Sequence, residues 1–315
     1  MNLLVGDIGG TNIRLATFDG TEIGHLMVSE NRGQDAVETA LHSFQDQFGP
    51  FDAVGLGVAG PVCNGQIQMT NVCVALSEAR LEQLFKCPAR LMNDFEAQAL
   101  AIQHIPSEYL VPLGTVTPRT GGHRVVLGAG TGLGEATLVH HAEGYIAVPG
   151  EGSHGRFSPK SEQEIELLRW LMQRWPDHVS VERIVSGPGL VNVYDFLRGE
   201  EEPHPDMVNE DPAAVITRRG LDGSCAVCVD VLRLFVETLA DEAATFALKC
   251  NASAVYLSGG IPPRILARLH TEFRPAFENK GRYSRLMQNT AVYVVTYPNT
   301  GLLGAAMGVR HLVTT

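Results

Sequence analysis

Near its start the chain reads LLVGDIGGTNIRLATFD, an apolar run that stops at an acid, two glycines and a threonine and then resumes. The flanking residues have the pattern of strands, and the bare polar centre is short enough to be the turn between them. LGAGTGLGEATLV repeats the order of strand, glycine-rich turn with threonine, and strand, from Leu127. Two hairpins of one kind, begun near residues 5 and 127, predict two similar sheets facing each other.

Strand and helix patterns alternate through the rest of the chain. EIGHLMVS, FDAVGLGVAGPV, ARLMND, YLVPLG, HRVVLGAG, AVYLS and AVYVV read as strands, several of them fully buried. DAVETALHSFQDQF, SEARLEQLF, FEAQALAIQ, SEQEIELLRWLMQRW and CAVCVDVLRLFVETLADEAATFALKC carry apolar residues at helical spacing, and a serine stands ready to cap the second of these. The chain is therefore α/β. RGEEEPHPDMVNEDP is polar and proline-containing and reads as a surface excursion.

Composition removes several function classes. The 315 residues suit one large or two ordinary domains. A formal charge of -11 without a basic run argues against nucleic acid as a partner. No apolar segment is long enough to span a bilayer, and MNLLVGD lacks the basic start of a signal peptide, so a cytoplasmic protein with reduced thiols is expected. Cys225 and Cys228 form one CxxC, but zinc would need two further ligands at comparable spacing, and buried or half-buried thiols are the expectation.

The two turns admit two readings. Gly9, Gly10, Gly130, Gly132 and Gly134 could serve tight hairpins at positive φ. They could instead form a phosphate cradle, in which bare backbone lets an anion approach and Thr11 and Thr131 add hydroxyl donors. Neither turn has the lysine of a P-loop, and GAGTGLG has the wrong spacing for the dinucleotide fingerprint and is followed by a strand, not a helix. Asp7, set in an apolar strand, needs a partner or a cation. Beside a phosphate cradle that cation is Mg²⁺, held in part through water; the alternative is a carboxylate folded back on the turn.

Three further stretches hold polar groups between apolar ones. Asn93 and Asp94 end a strand with an amide and an acid; both can bond hydroxyls and the acid can take a proton from one, while the residues alone favour Asp94 as the N-cap of the helix that follows. VPGEGSHGRF places Glu151 and His154 in one glycine-rich loop, a rigid pair able to bond hydroxyls. In VYLSGGIPPR, Gly259 and Gly260 form a bare strand-to-helix turn.

GDIGGTN, LMNDFEAQALA, GAGTGLG, PGEGSHGRF, VERIVSGPGL, LSGGIPPR and NTGLLGAAMG, in this order over nearly the whole length, closely resemble the bacterial glucokinases of the actin, sugar kinase and Hsp70 ATPase superfamily. The resemblance implies a two-domain actin-like ATPase (ribonuclease H-like) fold with an interdomain active-site cleft. Residues 1–105 with 296–315 would form the small α/β domain and residues 106–295 the large one. It implies phosphorylation of glucose by ATP at the 6-hydroxyl, the first step of glycolysis, with Mg²⁺ and in a homodimer. Asp94 then matches the general base, and Asn93, Glu151, His154 and Glu182 match sugar ligands. Gly6, Asp7, Ile8, Gly9, Gly10, Thr11, Gly130, Thr131 and Gly132 match the phosphate side, and Gly259 and Gly260 the adenine side. Val74 and Leu76, after the TN dipeptide, stand where several relatives place aromatic residues, which bears on sugar selectivity. Two rivals share the fold: repressors with a helix-turn-helix, for which the early first strand leaves no expected place, and ATPases that bind no sugar.

Overall fold

A computed structural model describes residues 1–69 and 72–313; the TN dipeptide and the last two residues of the expected small domain lie outside the described residues. Two compact units are present, Met1–Ser107 with Ile146–Pro149 and Tyr297–Thr315, and Glu108–Tyr145 with Gly150–Thr296.

The first unit opens with β1 (Leu3–Ile8), β2 (Asn12–Phe18) and β3 (Ile23–Glu30), an antiparallel meander, followed by α1 (Gln34–Phe48). β4 (Ala53–Val58) then pairs parallel to β1. A ribbon of β5 (Gln66–Met69) and β6 (Val74–Ser77) leads to α2 (Glu78–Phe85), β7 (Ala89–Asn93) and α3 (Asp94–Ala101). The main sheet has the order β3-β2-β1-β4-β7. As its sequence pattern requires, β4 is buried along its whole length. Val54, Leu56 and Val58 join a cluster with Leu41, Phe44 and Phe85 of α1 and α2. Each such large side chain stabilises the unit by about 2 kcal/mol. Ser77 caps α2 as anticipated, accepting from the Arg80 N–H. Val74 and Leu76 are buried in that same cluster.

In the second unit β8 (Leu110–Pro112), β9 (Arg124–Ala129), β10 (Leu133–His141) and the ends of β11 (Gly144–Gly150), whose Ile146–Pro149 is grouped with the first unit, precede a helical stretch of α4 (Glu162–Arg174), α5 (Gly187–Arg198), α6 (Pro212–Asp222) and α7 (Ala226–Lys249). β12 (Ala254–Ser258) and the short helices α8 (Leu266–Arg268), α9 (Arg274–Glu278) and α10 (Ser284–Gln288) lead to β13 (Ala291–Val295). The sheet order is β11-β10-β9-β12-β13-β8. Its first five strands repeat the order of the other sheet, with the central hairpin antiparallel and the next two pairings parallel in both. The two similar hairpins therefore do sit at the centres of two similar sheets.

Two helices were not legible in sequence. α5 starts Gly-Pro-Gly, which reads as a breaker, yet Ser186 caps it and Pro188 occupies a first-turn position where its missing N–H costs nothing. α6 lies just beyond the polar excursion and is capped by Asp211. The excursion itself forms a 3₁₀ turn, Pro205–Val208, anchored where Arg218 and Arg219 both reach Asp206.

The chain ends in α11 (Thr300–Val309), which returns to the first unit and packs on the sheet face opposite α1 and α2. Glycine permits this. A Cβ at Gly55 of β4 would stand 2.5 Å from the Ala305 carbonyl, and one at Gly304 would overlap the Ala97 carbonyl of α3. Backbone has no rotamer by which to yield. Gly304→Ala is expected to destabilise the protein by about 3 kcal/mol, read as a lower urea midpoint with an unchanged slope.

Candidate active site

In both units the candidate residues gather at the carboxyl ends of the parallel strands, where open α/β sheets bind ligands. In the first unit Asp7 is the penultimate residue of β1, with Gly57 of β4 and Met92 of β7 in the same row. Asn93 and Asp94 follow one step beyond. A Cβ at Gly57 would stand 3.2 Å from the Ala97 Cβ, so the bare residue lets α3 pack closely on β4.

The cap of α3 is Asn93 and not Asp94. The Asn93 amide oxygen accepts from the N–H groups of Phe95 and Glu96, and its nitrogen donates to the Gly60 carbonyl at 3.0 Å. Asp94 is the first helical residue, half-buried, with its Oδ1 accepting from the Phe95 N–H at 3.1 Å. An amide makes the tighter cap because its nitrogen also ties down the neighbouring loop. This leaves the carboxylate outside the capping position.

The β1–β2 turn is held from one side. Asn31, itself buried, donates from its side chain to the Gly9 carbonyl and from its backbone to the Thr11 carbonyl, both at 2.8 Å. Among the described residues the N–H groups of Gly10 and Thr11 have no protein acceptor. The β9–β10 turn is similar. Gly130 donates to the Gly132 carbonyl and accepts from Gly187, the first residue of α5, while the N–H groups of Thr131 and Gly132 have no acceptor among the described residues. Gly9, Gly10, Gly130 and Gly132 take no positive φ, and Gly134 lies within β10. The positive-φ reading of these glycines is thereby overturned. Nothing stands within 4 Å of a Cβ at Gly10, so its bareness leaves open space. Successive N–H groups without a protein acceptor, the first pair beside open space and the second beside the α5 N-terminus, are of the kind able to receive an anion.

Gly6 and Ile8 have another part. Leu56 and Leu15 crowd Gly6, and Ile8 is fully buried, so both set the strand that aims Asp7 and neither side chain position faces outward. Asp7 faces Arg14, 3.7 Å away, and abuts Gly301 in the first turn of α11. Burial pushes its carboxyl above the usual carboxylate range, against the pull of Arg14. Among the described residues no group of three or more His, Cys, Asp or Glu side chains could hold a metal. A single carboxylate still fits Mg²⁺, which takes its other oxygens from water and phosphate.

The second unit binds its candidate residues into one scaffold. A Glu182 carboxylate oxygen accepts from the Leu133 N–H at 2.9 Å, at the end of the glycine turn. Glu151 and His154 flank a 3₁₀ turn, their side chains 3.7 Å apart and more than half exposed. The chain after them is stitched to the segment before Glu182 by Phe157 N–H to the Val179 carbonyl and Val181 N–H to the Gly155 carbonyl. Gly259, at φ +89, presses on Ala129, and Ile261 donates to the Ala129 carbonyl. This brings Gly260 beside Gly130 at the edge of a cavity of about 470 Å³. Leu190, Val191, Ala213, Ala214 and Ile261 give that cavity apolar walls, and Asp211, Thr217 and Arg264 bring polar groups. Sequence reasoning missed these α5 and α6 residues; the serine, glycine and proline of SGPGLVN were the available signal of a helix start.

Cys228 is buried at the start of α7, and burial with the neighbouring Cys225 pushes its thiol up to about 12, which leaves it inert. Among the described residues no helix is long and apolar enough to cross a membrane.

Comparison with known proteins places this geometry. The glucokinase from Salmonella typhi is 36% identical over 314 residues, covering 98% of this chain and 97% of the other. A crystal structure of glucokinase from an Antarctic psychrotroph superposes with a TM-score of 0.82 at 30% identity, covering 98% of this chain and 99% of that one. A glucokinase of the ROK family from Streptomyces griseus, in complex with glucose and AMPPNP, superposes with a TM-score of 0.71 at 18% identity, covering 99% and 100%. The paired sheets and their turns are thus the actin-like fold of the sugar kinases. The Glucokinase family model matches residues 4–312, and the chain belongs to that family.

A Cβ on Gly132 would stand 2.6 Å from the Glu182 carboxylate. Gly132→Ala is expected to break the Leu133–Glu182 bond at a cost of about 1–3 kcal/mol. Faster hydrogen exchange at the Leu133 amide, with protection unchanged in β4, is the readout.

Proposed function

We propose that the chain transfers the γ-phosphoryl group of ATP to the 6-hydroxyl of glucose, giving glucose 6-phosphate and ADP. One observation supports the reading: the Gly130–Gly132 turn with its bare N–H groups, the cavity with apolar walls beside it and Glu151, His154 and Glu182 share one hydrogen-bonded scaffold. Adenine would lie in the cavity near Gly260, and the phosphates would accept from the bare N–H groups of Thr131 and Gly132; Gly10 and Thr11 offer donors of the same kind on the first unit. Phosphoryl transfer has a loose transition state, so positioning and neutralisation of charge carry most of the catalysis.

Within the sugar set, Glu151 and Glu182 accept from ring hydroxyls and the His154 ring accepts from or donates to them. Asn93 has one amide N–H beyond the one given to Gly60, and that is the group it can offer. Asp94 aligns the 6-hydroxyl and takes its proton as the oxygen attacks, which its place outside the cap permits. Asp7 would hold Mg²⁺ through water. The ion, when bound, neutralises charge on the phosphates. The resemblance further implies a homodimer, which sedimentation velocity tests, and a cytoplasmic setting.

Asp94→Asn keeps the shape and removes the base. It is expected to lower kcat by about 10²–10⁴-fold while leaving the glucose KM within about threefold of the parent, measured by coupling glucose 6-phosphate formation to NADP⁺ reduction. Near-normal turnover defeats the assignment. The same assay across glucose, mannose and fructose tests the sugar, with glucose expected to give the highest kcat/KM.

A further inference from the structure

Glu135 lies on β10, two residues beyond its first residue Leu133 at the glycine turn, and the mechanism above has no use for it. It is 2% exposed, and its Oε1 is buried without a hydrogen-bond partner. Its other oxygen presses on Gly152, the residue between Glu151 and Ser153; a Cβ there would overlap the carboxyl. The loop that carries Glu151 and His154 therefore rests directly on this acid.

We propose that Glu135 is the positioning residue for the Glu151–His154 loop, fixing its height and through it the affinity for sugar. This rests on the reading of that loop as sugar-binding.

The surroundings of the loop and of Glu135 support it. Gly152 and Gly155 line a cavity of about 140 Å³, and buried Thr238 of α7, whose hydroxyl has no partner among the described residues, lines it too. The charges around Glu135 are unbalanced: Glu242 and Lys249 of α7 and Glu151 of the loop all act on it. The same cavity is lined by Arg156, Lys160, Glu164 and Asp241, the last paired with Lys280. Burial first, then repulsion from Glu242 and Glu151, pushes the Glu135 carboxyl up to about 8, with Lys249 pulling the other way.

Protonated, Glu135 sits against Gly152 without charge. Ionised, it repels Glu151 on the loop above and seeks water, and the loop must shift to admit it. Sugar binding then weakens as pH rises through 8, while the phosphoryl-transfer step, which Glu135 does not touch, keeps its rate. The sign for stability agrees. A carboxyl whose pKa is raised on folding costs stability as pH rises from its unfolded value towards the folded one, and the cost is complete above it.

The test is the pH profile of glucose KM and kcat from pH 6 to 9.5 in the parent, Glu135→Gln, Glu242→Gln and Lys249→Gln. In the limit where only the protonated form binds, the parent KM rises about tenfold between pH 7 and 9, with kcat flat. Glu135→Gln is expected to hold the low-pH KM across the range and to exceed the parent in thermal stability above pH 8. Glu242→Gln moves the midpoint down and Lys249→Gln moves it up, which tests the idea even where Glu135→Gln folds poorly. A KM that rises in Glu135→Gln in parallel with the parent overturns the proposal, as does a pH effect confined to kcat. A parent enzyme that turns over no glucose at any pH defeats the functional reading instead, so the two failures are distinct.

Discussion

Close approach of main chain to polar groups, at positions that have no Cβ, is the constraint on which the rest of the structure depends. Gly304 lets α11 seat on α3, and Gly57 lets α3 pack closely on β4. Gly132 admits Glu182, Gly152 admits Glu135 and Gly301 admits Asp7. At each of these places a methyl group would meet a carbonyl, a carboxylate or a helix. Only Gly259 among the site glycines also needs a left-handed backbone. Their role is room rather than flexibility.

That room has a chemical result. A backbone N–H at the end of a strand is a fixed donor with no side-chain entropy to lose, and a pair of them aimed at open space suits the spread charge of a phosphate. The hairpins supply such pairs because their carbonyls are occupied elsewhere, by Asn31 on one turn and by Gly187 on the other. Glu182 reaches the second turn through Leu133, so the groups suited to sugar hydroxyls and those suited to phosphate are held by the same strand end. Positioning of this kind is the larger part of what phosphoryl transfer asks of a protein.

Much of this was legible in the chain. The two hairpins announced two like sheets because period-two apolar runs around a bare turn leave few alternatives. Asp7 stood out because an acid in an apolar strand must find a partner. The same signal stands at Glu135, within GEATLV, an acid in a strand beside a glycine turn. Acids cap well, so the residues alone favour Asp94 as the cap of α3, but the neighbouring amide can cap and bond Gly60 together, and that second bond is invisible in sequence. α5 was hidden by its opening Gly-Pro-Gly, whose meaning depends on whether Ser186 is placed to cap it.

The sequence by itself determined the alternation of strands and helices, the paired glycine turns, the membership of a sugar-kinase family and the residue types able to do the chemistry. These follow from local pattern, which is written in neighbouring residues. The tertiary structure alone decided which amide caps, which N–H groups remain bare, and which carboxyl lies against which loop. Those depend on residues far apart in the chain meeting within a few ångströms, and no local pattern records such a meeting.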